Sequence, residues 1–194
     1  KLKKIAKKHK LLLLEDNSQA PAAKIENNQY TGTVGEAGVF SFNRHKTIQS
    51  GEGGILITNN KKIFLKSCLV RNHGECVVGP WKIKDISNTI GQNLRITEIQ
   101  AAIAYHQFLK LTKLNKERVR LADRISAGIS SIKGLSAPIT RKNCTHAYYF
   151  YVMKYDEKKV GIKKEDFVKA INAEGYYLRS GYLKPLYLEP IFQK

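Results

Sequence analysis

Lys46 closes the run Ser41-Phe42-Asn43-Arg44-His45-Lys46, just ahead of Gly51-Glu52-Gly53-Gly54. Far upstream, Asp16 ends the apolar run Leu11-Leu12-Leu13-Leu14-Glu15-Asp16, and Gln19 follows within one short turn. An amine can condense with a carbonyl, a carboxylate can stay charged, and a hydroxyl can donate to an oxyanion. Asp16 follows one candidate strand, Ser41 and Asn43 close a second, and Lys46 lies in the loop beyond. In an open parallel sheet, ligands sit outside the carboxyl ends of the strands. These side chains are therefore expected at one ligand-binding edge.

Taken singly, none of them says much. An aspartate after a strand is usually a cap or turn residue, and a loop lysine is usually solvated. Together they match what pyridoxal 5'-phosphate (PLP) requires. Its aldehyde needs a lysine amine. Its ring nitrogen must stay protonated, and a neighbouring carboxylate favours that charged form. Its phosphate needs hydroxyl and N–H donors, one of which Ser41 can supply. Gln19 is placed to reach the ring hydroxyl.

The elements that would position these groups follow from the hydrophobic pattern. Lys1 to His9 is helical in composition, and Leu11 to Leu14 reads as a strand buried on both faces of a parallel sheet. Asn27 to Gly35 is a loop or hairpin. Ala37 to Phe42 and Gly54 to Thr58 read as two further buried strands, the second closed by Asn59-Asn60. Lys61 to Val70 reads as an amphipathic helix. His73 to Ile90 is irregular, with Gly74, Gly79, Pro80 and Trp81. Thr97 and Gln100 form a capping-box pattern. From there a long, bent helix is expected to run to about Ile132, with Gly134 as its stop. Beyond Pro138, an aromatic strand is expected over Ala147 to Met153. A helix over Lys163 to Glu174 and a strand from Tyr176 to Leu178 follow. Strands alternating with helices argue for an α/β layer.

Composition narrows the class. No apolar run approaches a membrane span, and the short leucine run ends in Glu15-Asp16, which is unlike an export signal. Cys68, Cys76 and Cys144 are an odd count without a ligand pair and read as reduced cytosolic thiols, so no metal site is expected. The net charge of +18 comes from lysines spread along the whole chain, which reads as a solvated surface. Neither a nucleic-acid nor a membrane partner is expected, and the location expected is cytoplasmic. The sole methionine is Met153, so the chain is expected to be an internal piece of a longer protein.

Five blocks occur in order: Glu15 to Ala20, Phe40 to Lys46, Gly51 to Gly54, Arg71 to Gly74 and Gly91 to Ala102, with a weaker tail at Tyr182 to Leu186. In these the chain resembles the DegT/DnrJ/EryC1/StrS family of sugar aminotransferases. The resemblance implies the aspartate-aminotransferase-like α/β fold, PLP-dependent transferase fold type I. Residues 1–110 would be the C-terminal part of the large PLP-binding domain. Residues 111–194 would be a long linking helix and part of a small α+β domain. The N-terminal part of the large domain and the C-terminal end of the small one would be absent.

The same resemblance implies roles. Lys46 would bond the PLP aldehyde and shuttle the proton of a 1,3-shift. Asp16 would hold the pyridinium, Gln19 the ring hydroxyl and Ser41 the phosphate. Asn93 would reach the phosphate of the neighbouring subunit's PLP, which implies a homodimer with shared sites. Arg95 is either a site residue or an ion-pair partner at the start of the capped helix. Gln92 and Leu94 replace common aromatic residues and Ser18 a usual alanine, none of them at a reacting group. His45 and His106 read as structural, His73 has an open role, and His146 is a candidate to face substrate. The implied activity moves an amino group from an amino acid, glutamate by expectation, to a keto nucleotide-sugar. An inactive or regulatory fragment, or a PLP-dependent sugar dehydratase, is the alternative. Dehydratases of the family carry histidine in place of the lysine, so Lys46 favours transamination.

Overall fold

The computed structural model describes residues 1–74 and 89–193. Most of the irregular stretch expected from His73 to Ile90, with Cys76, Gly79, Pro80 and Trp81, lies outside the described residues. The described chain forms two compact units. The first holds Lys1–Arg124 and Ile139–Tyr151, the second Ile125–Pro138 and Val152–Lys194.

The first unit opens with helix α1 (Leu2–Lys8) and strand β1 (Leu14–Asp16). A small hairpin, β2 (Lys24–Ile25) and β3 (Gln29–Tyr30), follows. Its turn puts Asn27 and Asn28 at φ 64° and 61°, a conformation asparagine tolerates better than most residues. Strands β4 (Ala37–Ser41) and β5 (Gly54–Ile57) complete a three-stranded sheet in the order β1-β4-β5.

The sheet is mixed, which corrects the expectation of a parallel one. β1 pairs with β4 in parallel, Asp16 opposite Val39, whereas β5 runs antiparallel, Gly54 opposite Ser41. The connection from Ser41 to Gly54 carries no crossover helix, and parallel pairing needs one. The expected burial of Leu11 to Leu14 on both faces is also corrected. Only Leu14 of that run is in the strand, and Leu11, Leu12 and Leu14 are exposed. Among the described residues, β1 is paired along one edge only, by β4.

Close backbone approach explains two glycines. A Cβ at Gly38 in β4 would lie 2.3 Å from the Gly32 carbonyl oxygen, and one at Gly32 would lie 2.6 Å from the Phe40 ring. The loop after the hairpin therefore folds flat onto the strand that ends at Ser41.

Helix α2 (Lys61–Arg71) starts at Asn60, whose side chain accepts from the N–H groups of Lys62 and Ile63. Helix α3 (Glu98–Phe108) begins with the expected capping box of Thr97 and Gln100. The long helix is interrupted at Leu109 and Lys110 and resumes as α4 (Leu111–Ile129). The amphipathic α4 buries Leu111 and Ala122.

In the second unit, Gly134 has φ 91° after α4, as its role as a stop requires. Strands β6 (Leu135–Ser136) and β7 (Lys154–Tyr155) pair antiparallel. Two helices follow, α5 (Glu157–Val160) and α6 (Lys164–Ala173). Phe167 of α6 packs against the Tyr155 ring at 4.9 Å between centroids. The aromatic strand expected over Ala147 to Met153 does not form, because Tyr148 at φ 45° breaks the extended run. Nor does Tyr176 to Leu178 form a strand; Leu178 instead exchanges two hydrogen bonds with the Asn172 side chain.

Candidate active site

β1 and β4 run parallel, so their carboxyl ends lie on one edge of the sheet, Asp16 at one end and Ser41 at the other. The chain re-enters at that edge through Gly54, opposite Ser41. The intervening loop carries Lys46. It is anchored by buried Thr47, Ile48 and Ser50 and by hydrogen bonds between Phe42 and both Ser50 and Gly53.

Asn43 organises this loop internally. Its amide donates to Glu52 at 2.7 Å, its side-chain oxygen accepts from His45 N–H, and its carbonyl accepts from Lys46 N–H at 2.9 Å. Its polar atoms are thus used in holding Lys46, not in facing a ligand. Ser41 Oγ accepts from Asn43 N–H at 3.2 Å, which leaves the hydroxyl proton free to donate outward.

Asp16 is exposed at the end of β1. Its Oδ1 accepts from the Ser18 hydroxyl at 2.5 Å and from Ser18 N–H at 2.9 Å. These two bonds hold the carboxyl below its ordinary value against an upward push from burial, and the Lys46 ammonium adds a still smaller lowering. Ser18, read from the sequence as a change remote from the reacting groups, therefore acts directly on Asp16. Gln19 is exposed just beyond.

The half-buried Lys46 extends its Nζ over the Tyr149 ring, 4.8 Å from the centroid. This residue was not found from the sequence. The only signal was the aromatic run at 148–151, which read as a strand. The segment reaches Lys46 because Thr145 and Lys24 exchange two hydrogen bonds of 2.8 Å, and Arg141 pairs with Glu26 at 2.9 Å.

A second group forms around Asn93. The 71–74 and 91–95 segments are joined by the bridge Asn72–Asn93 and by bonds from His73 N–H to the Gln92 carbonyl and from Leu94 N–H to the Arg71 carbonyl. Arg95 Nε donates to Asn93 Oδ1 at 2.9 Å, and its Nη2 lies 3.4 Å from His73 Nε2. Among the described residues, the partners of Arg95 are Asn93 and His73. Among the described residues, no hydrogen bond joins this group to Asp16 or Lys46. His146 accepts at Nδ1 from Tyr148 N–H and stacks on the Tyr148 ring. His45 accepts from Arg44, and His106 lies on α3 with its ring edge on Tyr105.

One further residue was missed. Glu15, beside Asp16, accepts from three backbone N–H groups, those of Gly32, Val34 and Gly35, at 2.6–2.9 Å. It locks the glycine loop against the strand that presents Asp16.

Comparison with known proteins agrees with this architecture. The profile of the DegT/DnrJ/EryC1/StrS aminotransferase family matches residues 1–194. The spore coat polysaccharide biosynthesis protein SpsC of Bacillus subtilis is 29% identical over 98% of this chain and 50% of its own length. The L-glutamine:scyllo-inosose aminotransferase of Streptomyces griseus is 30% identical over 96% of this chain and 46% of its own. The solved aminotransferase of Psychrobacter cryohalolentis superposes with a TM-score of 0.89 at 25% identity, over 98% of this chain and 52% of that one. The chain spans about half the length of the curated relatives it matches. Its fold is the aspartate-aminotransferase-like α/β fold, fold type I of the PLP-dependent transferases. Matched along its whole length by that profile, the chain belongs to the DegT/DnrJ/EryC1/StrS aminotransferase family.

Proposed function

We propose that the chain carries the lysine-bearing part of a PLP-dependent sugar aminotransferase. The observation that carries this reading is geometric: Asp16 and Ser41 end two parallel strands at one sheet edge, and Lys46 lies in the loop that follows Ser41. The donor set fits the cofactor. Asp16 would hold the ring nitrogen, Gln19 the ring hydroxyl, Ser41 the phosphate and Lys46 the aldehyde carbon. Asn93 would reach the phosphate held by a second copy, in a homodimer with shared sites.

PLP, when bound, supplies an electron sink for the carbon that loses its proton. The residues of the chain do the rest. Lys46 would hold PLP through its Nζ and would move a proton at that same nitrogen, which requires the amine to stay at the sheet edge. Asp16 stays ionised because Ser18 donates to it twice, so it can pair with a protonated ring nitrogen. The loop tied together by Asn43 fixes the distance between Ser41 and Lys46.

The donor is an amino acid, glutamate or, by analogy with the Streptomyces griseus relative, glutamine. The acceptor is a keto sugar linked to a nucleotide, in the assembly of a surface polysaccharide or glycoside. Residues 1–110 belong to the large domain on this reading, and 111–194 to the linking helix and small domain. The site works in the cytoplasm.

The test loads the protein with PLP, adds glutamate or glutamine, then a panel of keto sugar nucleotides, and follows product mass. Replacement of the sugar carbonyl by an amine is expected. A product that has instead lost a hydroxyl, with no nitrogen gained, would establish the dehydratase reading. No turnover by protein that binds PLP would favour the inactive or regulatory form.

A further inference from the structure

Lys46 is one of many lysines in a strongly basic chain, and its long side chain has several rotatable bonds. A lysine side chain loses much rotamer entropy when its amine is held in one place. The backbone bond from Lys46 to Asn43 fixes the start of the side chain and leaves its amine free to swing. The Tyr149 ring, 4.8 Å below Nζ, meets it at the far end. A cation over an aromatic face within about 6 Å of the centroid is attracted by the ring quadrupole.

The way Tyr149 is delivered argues against an accidental contact. Its neighbour Tyr148 sits at φ 45°, a costly conformation for an aromatic residue. Three contacts hold it there. Tyr148 N–H donates to His146 Nδ1 at 2.8 Å, the two rings stack at 4.2 Å, and Arg118 of α4 donates to the Tyr148 carbonyl at 3.1 Å. Buried Ala147 anchors the turn. The left-handed residue redirects the chain and sends the next side chain, Tyr149, toward Lys46. Phe150 packs edge-on against Tyr149 at 4.3 Å and supports its ring.

We propose that Tyr149 is a positioning residue for Lys46: its ring holds the amine at the sheet edge beside Asp16, aimed by the clamped Tyr148 turn. This rests on the reading of Lys46 as the PLP lysine. The ring acts while Lys46 is free as its ammonium, before PLP is captured and again when the nitrogen holds the proton it carries between carbons. It requires an aromatic face, not a phenol, so phenylalanine preserves it. His146 then serves the site indirectly, through the turn.

The test measures the rate at which PLP becomes covalently attached to Lys46, trapped by borohydride and mapped by peptide mass. In that step the ammonium, held over the ring, gives a proton to water, the nitrogen bonds the aldehyde carbon, and the carbonyl oxygen leaves as water. Pyridoxamine 5'-phosphate, which has no aldehyde, reports the rest of the cradle by its Kd. Tyr149→Phe is expected to capture PLP within about twofold of the wild-type rate. Tyr149→Leu is expected to slow capture about tenfold, the scale of one partly desolvated cation–π contact, with pyridoxamine phosphate affinity unchanged. Should the leucine variant melt early, Tyr149→Met, closer in volume, decides in the same way. Capture at the wild-type rate by Tyr149→Leu or Tyr149→Met would overturn the proposal, as would equal loss in Tyr149→Phe. A parallel loss of pyridoxamine phosphate affinity would also overturn it, by showing a general structural role. Wild-type protein that never labels Lys46 would instead refute the PLP reading itself.

Discussion

At the scale of single residues, the informative pair is Asp16 and Ser18. The Ser18 hydroxyl and N–H both favour the ionised carboxylate, so the Asp16 pKa lies below its ordinary 3.8, with the Lys46 charge adding to the effect. Depression fixes the sign of the pH dependence. The stabilisation is fully present above the ordinary carboxylate value and is lost as pH falls through the lowered one. Ser18→Ala removes the largest cause. Its Asp16 pKa, followed by NMR titration of the carboxyl carbon, is expected to rise toward 3.8, and an unchanged value would contradict the assigned cause. Spacing alone pointed to Asp16, Ser41 and Lys46, because each lies at or just beyond a strand end. It could not point to Ser18 or Tyr149. The role of Ser18 depends on the direction of one hydroxyl, and Tyr149 arrives from about a hundred residues downstream through a turn with a left-handed tyrosine.

At the scale of elements, helices were legible where their ends carry signals, Thr97 with Gln100 at α3 and Gly134 after α4, whereas Asn60, read only as part of a turn, caps α2. The strands were legible as apolar runs, but their partners were not. Nothing in Gly54 to Ile57 announces antiparallel pairing, and the aromatic run 147–153 satisfies strand propensity without finding a ladder. Glu15 escaped because its function is to gather N–H groups from a loop that only the fold brings near. Glu15→Ala leaves three partly buried donors without their acceptor. It is expected to lower stability by about 1–3 kcal/mol, read as a shift of the urea midpoint at constant m-value. Glu15→Gln, which keeps one acceptor oxygen, should lose less. Equal stability of Glu15→Ala and wild type would show that the loop holds by packing alone.

At the scale of the molecule, the chain leaves many large apolar side chains exposed, among them Leu12 and Leu14 at β1, Ile99, Tyr105 and Phe108 on α3, and Leu109 just after it. Apolar patches of this kind mark surfaces that other protein covers. The proposed homodimer is therefore expected in solution, and sedimentation equilibrium at micromolar concentration is expected to give twice the chain mass. A monomer at every concentration tested would remove the basis for assigning Asn93 to a neighbouring site. The charge of +18 bears on solubility and on attraction of a polyanionic substrate. It is no guide to the fold.

Lys46, among all the lysines of the chain, is the one expected to take PLP. Incubation of the protein with PLP, borohydride reduction and peptide mass mapping tests it directly. The expected result is a single pyridoxyl group on the peptide bearing Lys46, lost together with the visible absorption band in Lys46→Ala. A band that persists in Lys46→Ala, or label scattered over surface lysines with none preferred, would rule out Lys46 as the PLP lysine.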